Sequence, residues 1–133
     1  MQKLGHAPIP AEAERIGKAI LDAAFTVHSD LGPGLLESVY EACCAYVLRQ
    51  RGEGVETQVA LPVSYRDVRV DAGLRLDVLV GGLVIVEFKA VETMLPLYDA
   101  QLLTYLKLTG SRLGYLLNFN VRHLKDGIKR LVL

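Results

Sequence analysis

Three charged residues interrupt two apolar runs near the middle of the chain. Asp77, Glu87 and Lys89 lie within Gly73-Leu-Arg-Leu-Asp77-Val-Leu-Val-Gly-Gly-Leu-Val-Ile-Val-Glu87-Phe-Lys89. Desolvating a charge inside a strand costs on the order of several kcal/mol unless it is paired or bound to a metal. Two carboxylates brought together raise one another's pKa, and a divalent cation relieves the repulsion. Hard oxygen ligands suit Mg²⁺ or Mn²⁺, with waters completing the shell. An ammonium beside such a cation can orient or deprotonate a bound water, or neutralise charge developing on a phosphate. The plain alternative is a structural ion pair between Lys89 and one of the carboxylates.

The elements that must position these groups start with a hairpin, since the two runs flank Gly81-Gly82. Glu87 and Lys89 are two apart and share a strand face, with Val84, Val86 and Phe88 on the other, core face. The turn decides where Asp77 goes. A two-residue turn at Gly81-Gly82 pairs Asp77 with Val86 and buries it on the core face. A three-residue loop at Gly81-Gly82-Leu83 sets it opposite Glu87, because a slip of one residue flips the face. The three-residue loop, or an equivalent bulge, is expected: glycine supplies the positive φ it needs, and it brings the two carboxylates together.

The rest of the chain reads as flanking layers. Ile16, Ala19, Ile20, Ala23, Ala24 and Val27 fall at helical spacing, predicting a helix from Ala11 to about Asp30, stopped by Gly32-Pro33-Gly34. A second helix is predicted from about Leu35 to Gln50 or Arg51, with Gly52 near its end. It places Gly34, Glu37, Tyr40, Glu41 and Cys44 along one side. Glu37 is then either a first-turn carboxylate favoured by the helix dipole or a carboxylate aimed into the hairpin site. Val55 to Tyr65 reads as a strand in which Pro62 marks an edge or a bulge, and Arg66-Asp67 is a turn candidate before Val68 to Val70. A third helix is predicted from about Leu97 to Thr109, closed by Gly110, with Gln101 and Tyr105 one turn apart on one face. The apolar run within Arg112 to Phe119 fits a strand buried on both sides in a parallel arrangement, and Gly127 to Leu133 adds a candidate edge strand. The sum is an α/β sandwich with a mixed central β-sheet flanked by helices.

The 133 residues suit one domain over the whole length, 1–133. Fifteen basic and fifteen acidic residues cancel, which argues against non-specific coating of DNA but leaves room for a local basic groove. A hydrophobic content of 51% makes a homodimer through an apolar surface an expectation. The first ten residues have no apolar signal core, no run reaches transmembrane length, and the adjacent Cys43 and Cys44 cannot form a scaffold disulfide. A cytoplasmic setting without membrane attachment is therefore expected. Neither a glycine-rich phosphate loop nor a Ser/His/Asp set is present.

At this point the residues resemble a known group. Gly73-x-x-x-Asp77, Glu87-Phe88-Lys89 and Gln101-x-x-x-Tyr105 resemble, in order, the motifs of RecB-like members of the PD-(D/E)xK nuclease superfamily, whose fold is restriction-endonuclease-like. Gly34-x-x-Glu37-x-x-Tyr40 is similar to the signature of the GxxExxY proteins. So are Val86-Glu-Phe-Lys-Ala90, Ala100-Gln-Leu-Leu-Thr-Tyr-Leu-Lys107, Leu117-Asn-Phe-Asn120 and Ile128-Lys-Arg130. The resemblance implies that Asp77, Glu87, the Phe88 carbonyl and Glu37 hold Mg²⁺ or Mn²⁺. It implies that Lys89 is the catalytic lysine and that Gln101 and Tyr105 line the site. Tyr98-Asp99 departs from the His-Glu common among relatives.

The function expected is metal-dependent hydrolysis of nucleic-acid phosphodiesters, with DNA ahead of RNA as substrate. A chain this small would draw its specificity from a dimer, a protein partner or the shape of the substrate. The competing expectation is a module that keeps the nuclease fold and binds nucleic acid or protein without cleaving. Of the remaining candidates, His6 and His123 read as surface residues and His28 as structural near a helix end. Tyr40 and Tyr46 read as core or interface aromatics. Arg122, Lys125, Lys129 and Arg130 form a basic cluster, either a solvated face or a phosphate-contacting patch.

Overall fold

The computed structural model describes residues 7–133, so His6 lies outside the described residues. The order is α1 (Ala11–Leu31), α2 (Glu37–Gln50), β1 (Val55–Ala60), β2 (Val63–Tyr65), β3 (Val68–Val70), β4 (Arg75–Val80), β5 (Val84–Lys89), α3 (Pro96–Thr109), β6 (Leu113–Asn118) and β7 (Ile128–Val132). A short 3₁₀ turn, Leu124–Gly127, precedes β7. The apolar stripe seen in the sequence makes α1: Ile16, Ile20, Ala23, Ala24 and Val27 are its buried face. Pro96 starts α3, where its missing N–H costs nothing, and Gly110 ends it with φ 76, a left-handed cap.

Five strands form one sheet in the order β1-β4-β5-β6-β7. β5 and β6 run parallel, while the β1–β4, β4–β5 and β6–β7 pairs are antiparallel. The expected parallel β6 is buried at every position. β5 is buried nearly throughout, as a central strand covered on both faces must be.

The two faces carry separate cores. On one, α1 and α2 pack Ile20, Ala24, Tyr40 and Leu48 against Val78, Val80, Val84, Val86, Phe88, Tyr115 and Leu117. On the other, α3 packs Leu102, Tyr105 and Leu106 against Leu61, Leu76, Ile85 and Leu116. The molecule is thus a mixed α/β sandwich with helices on both faces, as the patterning predicts.

The predicted Val55–Tyr65 strand is two strands. The chain breaks at Leu61-Pro62, and β2 with β3 makes its own two-stranded ribbon between β1 and β4. Pro62 has no N–H to give a ladder, so pairing cannot run through it. No helix among the described residues is long and apolar enough to cross a membrane.

Candidate nuclease site

The β4–β5 register is Val78↔Val86, Leu79↔Ile85 and Val80↔Val84. Gly81, Gly82 and Leu83 therefore form a three-residue loop, as expected from the sequence. Gly81 and Gly82 have φ of 61 and 68, and Leu83 N–H closes the loop onto the Val80 carbonyl at 3.1 Å. L-residues with side chains rarely adopt such φ values. Continuing this register sets Asp77 opposite Glu87.

The ladder does not continue there; the carboxylates take its place. Asp77 N–H donates to Glu87 Oε2 at 2.8 Å, and Phe88 N–H donates to Asp77 Oδ2 at 2.9 Å. On its other side, Asp77 faces Gln58 of β1, where pairing is recorded at Thr57↔Val78 and Val59↔Leu76 but skips the pair between. Gln58 has φ 52, uncommon for a residue with a side chain. The distortion is visible in the cores. Leu76 and Val78 are two apart yet lie in opposite hydrophobic clusters, whereas a regular strand puts them on one face. The strand turns over at Asp77, and that turn aims the carboxylate at the neighbouring strand.

Glu87 is 7% exposed. Burial, and then the charge of Asp77, push its carboxyl up to about 8, against the opposing pull of the Asp77 N–H bond and of Lys89. Phe88, whose carbonyl is a nominated ligand, is anchored by a ring stacked 5.8 Å from Phe119. Lys89 is half-buried and makes no ion pair among the described residues. The structural ion pair that was the plain alternative is therefore not formed. The Lys89 ammonium instead stands 4.4 Å from the centre of the Tyr98 ring, a cation–π contact. The aromatic that departs from the related pattern thus holds the lysine.

α3 brings Gln101 and Tyr105 to the same face of the sheet as Glu87. Gln101 is exposed, and Tyr105 is buried. Burial raises the Tyr105 hydroxyl pKa, helped by the charges of Glu87 and Asp77. Tyr98, Gln101 and Tyr105 stand on successive turns of one helix.

α2 contributes two carboxylates. Glu37, its first residue, is exposed. Glu41, one turn on, is half-buried and accepts from Gln58 Nε2 at 3.0 and 3.2 Å. Burial raises its pKa first, with Asp77 and Glu37 adding to the rise. Glu41 also acts on Glu87. Glu41 is therefore the α2 carboxylate whose charge reaches both hairpin acids, while Glu37 acts on Glu41. The sequence placed both on one side of α2 without separating them. The residue that separates them is Gln58, which carried no sequence signal.

The turn ahead of α2 is fixed by Tyr40. Its hydroxyl donates to the Gly32 carbonyl at 2.6 Å and accepts Leu35 N–H at 3.1 Å, while its ring stacks 4.4 Å from Phe119. Gly34, between these anchors, has φ 103. Gly34, Glu37 and Tyr40 are thus a turn glycine, a helix-start carboxylate and the tyrosine that ties turn to core. Tyr46, in contrast, is 64% exposed and belongs to no core.

A second residue missed by sequence reasoning is Asn118. It is 3% exposed, pairs in register with Lys89, and grips the loop after β5. Its Nδ2 donates to the Val91 carbonyl at 3.0 Å, and its Oδ1 accepts Val91 N–H and Asn120 N–H, each at 3.1 Å. Its place in the Leu117-Asn-Phe-Asn120 run was the available signal.

The hairpin carboxylates offer donors for a metal. Each hairpin carboxylate uses one oxygen on a backbone N–H, leaving Asp77 Oδ1 and Glu87 Oε1 without a protein hydrogen bond among the described residues. An acid whose pKa is raised first by burial and then by its neighbour's charge is what a divalent cation would ionise. Among the described residues no three His, Cys, Asp or Glu side chains converge into a ready ligand cluster. The donors left free at the hairpin are therefore two carboxylate oxygens, a hard set that suits Mg²⁺ or Mn²⁺ with water.

A sequence model of the PD-(D/E)XK nuclease superfamily matches residues 14–131, and the chain belongs to that superfamily. No curated protein and no solved structure matches the chain.

Proposed function

We propose that the protein is a metal-dependent nuclease that hydrolyses phosphodiester bonds of nucleic acid, DNA ahead of RNA. The observation that carries this reading is the reciprocal bonding of Asp77 and Glu87 across the hairpin, with the unpaired Lys89 ammonium beside them. Superfamily membership supports it. Within the superfamily we place the chain among the GxxExxY proteins, on Gly34, Glu37 and Tyr40, and we take residues 1–133 as one domain.

In this reading Asp77, Glu87 and the Phe88 carbonyl would hold Mg²⁺ or Mn²⁺, and a carboxylate from α2 would join them only by moving closer when the cation binds, since no three acids converge among the described residues. Glu41 is the stronger choice because its charge reaches both hairpin acids; Glu37 was the sequence choice. The cation supplies Lewis acidity towards the scissile phosphate and a more acidic bound water. The protein's own part is positional. The Asp77 and Phe88 N–H bonds hold both carboxylates in one orientation. Lys89, propped by Tyr98, places positive charge where the phosphate gains negative charge. Gln101 and Tyr105 bound the site from α3 and orient the attacking water or a phosphate oxygen. A homodimer through the exposed apolar residues Leu31, Leu36 and Tyr46, or a protein partner, is the proposed source of specificity.

The test is cleavage of linear, circular, single-stranded and branched DNA, and of RNA, with Mg²⁺ or Mn²⁺. Wild type is run beside folded Lys89→Ala and Glu87→Ala. Cleavage lost in both variants is expected. Equal cleavage by all three would mark a contaminant, and no cleavage by a folded, metal-binding wild type would leave a non-catalytic binding module as the better reading.

A further inference from the structure

The basic residues grouped near the C-terminus divide in the fold. Lys129 pairs with Asp99 at 2.6 Å, and Arg130 pairs with Glu14 at 2.6 and 2.9 Å. Arg122 and Lys125 make no ion pair among the described residues. Both instead line a cleft of about 520 Å³, with His123 and, from α1, His28 and Ser29. No carboxylate lines it, although the chain as a whole has as many acids as bases. Its volume falls within the roughly 300–1,000 Å³ of small-ligand sites.

The walls of the cleft are held firmly. His28 is 8% exposed, and its Nε2 lies 2.8 Å from the Val121 carbonyl, tying α1 to the segment that carries Arg122. Leu124, between the two cations, is buried in the α1/α2 core. That segment also begins beside the candidate site: Phe119 N–H donates to the Lys89 carbonyl at 2.9 Å. Arg122 and Lys125 are thus presented from an anchored turn at the end of the sheet where β5 delivers Glu87 and Lys89.

We propose that this cleft binds a backbone phosphate of the nucleic acid whose scissile bond lies at the hairpin site, with Arg122 and Lys125 as its two cationic contacts. The proposal rests on the nuclease reading and adds to it the surface that holds the strand. Arginine suits a phosphate through its planar fork of donors, and lysine adds a point charge. Neither cation is committed to a protein carboxylate, so binding breaks no internal pair.

The experiment measures binding of a fluorescein-labelled DNA duplex by anisotropy in EDTA, across a salt series, so that no cleavage intervenes. The variants are Arg122→Ala/Lys125→Ala and a charge-matched control, Lys18→Ala/Lys107→Ala, each checked by thermal melting. The cleft variant should bind about tenfold more weakly at low salt. Its plot of log affinity against log salt should be shallower by about 1.8, the loss of two phosphate contacts at roughly 0.9 each. The control should stay within about twofold of wild type. An unchanged affinity in the cleft variant, an equal loss in the control, or no duplex binding by wild type overturns the proposal. A parallel Mn²⁺ cleavage assay separates the two readings. Cleft-dependent binding without cleavage sinks the nuclease reading alone, whereas cleavage with cleft-independent binding sinks the phosphate cleft alone.

Discussion

Asp77 and Glu87 hold each other's strand by the backbone: Glu87 Oε2 accepts Asp77 N–H at 2.8 Å, while Asp77 Oδ2 accepts Phe88 N–H at 2.9 Å. Two carboxyl groups are thereby kept close, and the raised Glu87 stays largely protonated near neutral pH. Each bond substitutes for a ladder carbonyl, so the fold and the site use the same atoms. Asp77→Asn retains an acceptor oxygen for Phe88 N–H but removes the charge that adds to the burial-driven rise of Glu87. It should leave the melting temperature within a few degrees, abolish the Mn²⁺-induced stabilisation, and lower cleavage by about a hundredfold or more. Parallel melting and cleavage assays check this; full activity in Asp77→Asn would remove the residue from the site.

The second prediction concerns pH in metal-free protein. Glu87 has an ordinary value of 4.5, and the fold raises it to about 8. The native state therefore binds this proton more tightly than the unfolded chain. The stability it contributes is fully present below pH 4.5 and is lost as pH rises through 8. The loss should amount to a few kcal/mol by urea denaturation in EDTA. Glu87→Gln, which mimics the protonated acid, should flatten the dependence across that window. An unchanged pH profile in Glu87→Gln would assign the titration elsewhere.

Lys89 and Tyr98 supply the third. A cation–π contact at a partly exposed site contributes about 0.5–1 kcal/mol. If it orients the ammonium for phosphate chemistry, Tyr98→Leu should lower kcat by roughly two- to fivefold, with the Mn²⁺ shift intact. Tyr98→Phe keeps the aromatic face and should restore most of the rate. A Tyr98→Phe rate as low as that of Tyr98→Leu would point to the hydroxyl instead of the ring.

Much of this arrangement is legible in the sequence because it follows from short-range rules. Gly81-Gly82 with Leu83 sets the hairpin register, and the cost of burying Asp77 and Glu87 argues for the register that pairs them. The doubly buried β6 reads directly from its unbroken apolar run, and α3 from Leu102 and Leu106 between Pro96 and Gly110. Glu41 and Asn118 are not legible in this way. Glu37 and Glu41 lie four apart on one side of α2, and helical spacing cannot choose between them. The choice is made by Gln58, whose φ of 52 no residue pattern announces. Asn118 acts through the Val91 backbone, twenty-seven residues away, a contact that only the parallel β5–β6 register creates.

Asn118 provides a positioning test. Asn118→Ala removes three hydrogen bonds and leaves half-buried Val91 and Asn120 backbone groups without their partner, each worth about 1 kcal/mol. A stability loss of roughly 2–4 kcal/mol by urea denaturation is expected, with faster hydrogen exchange at Val91 N–H. Unaltered exchange at Val91 would show that the loop is held by other means.

The last prediction separates the two carboxylates of α2. Glu41 is half-buried, bonded to Gln58 and felt by both hairpin acids, whereas Glu37 is exposed. If α2 completes the metal shell through Glu41, Glu41→Gln should weaken Mn²⁺ binding by about tenfold in calorimetry, and Glu37→Gln by twofold or less. Glu41→Gln should also lower the Glu87 pKa, because one of the charges raising it is gone. That second readout is independent of metal and is followed by the pH dependence of stability in EDTA. The reverse ranking, with Glu37→Gln the more damaging to Mn²⁺ binding, would restore the assignment suggested by the sequence signature. It would also mean that the first turn of α2 moves toward the hairpin when the cation binds, since an exposed Glu37 is otherwise poorly placed to outrank a half-buried Glu41.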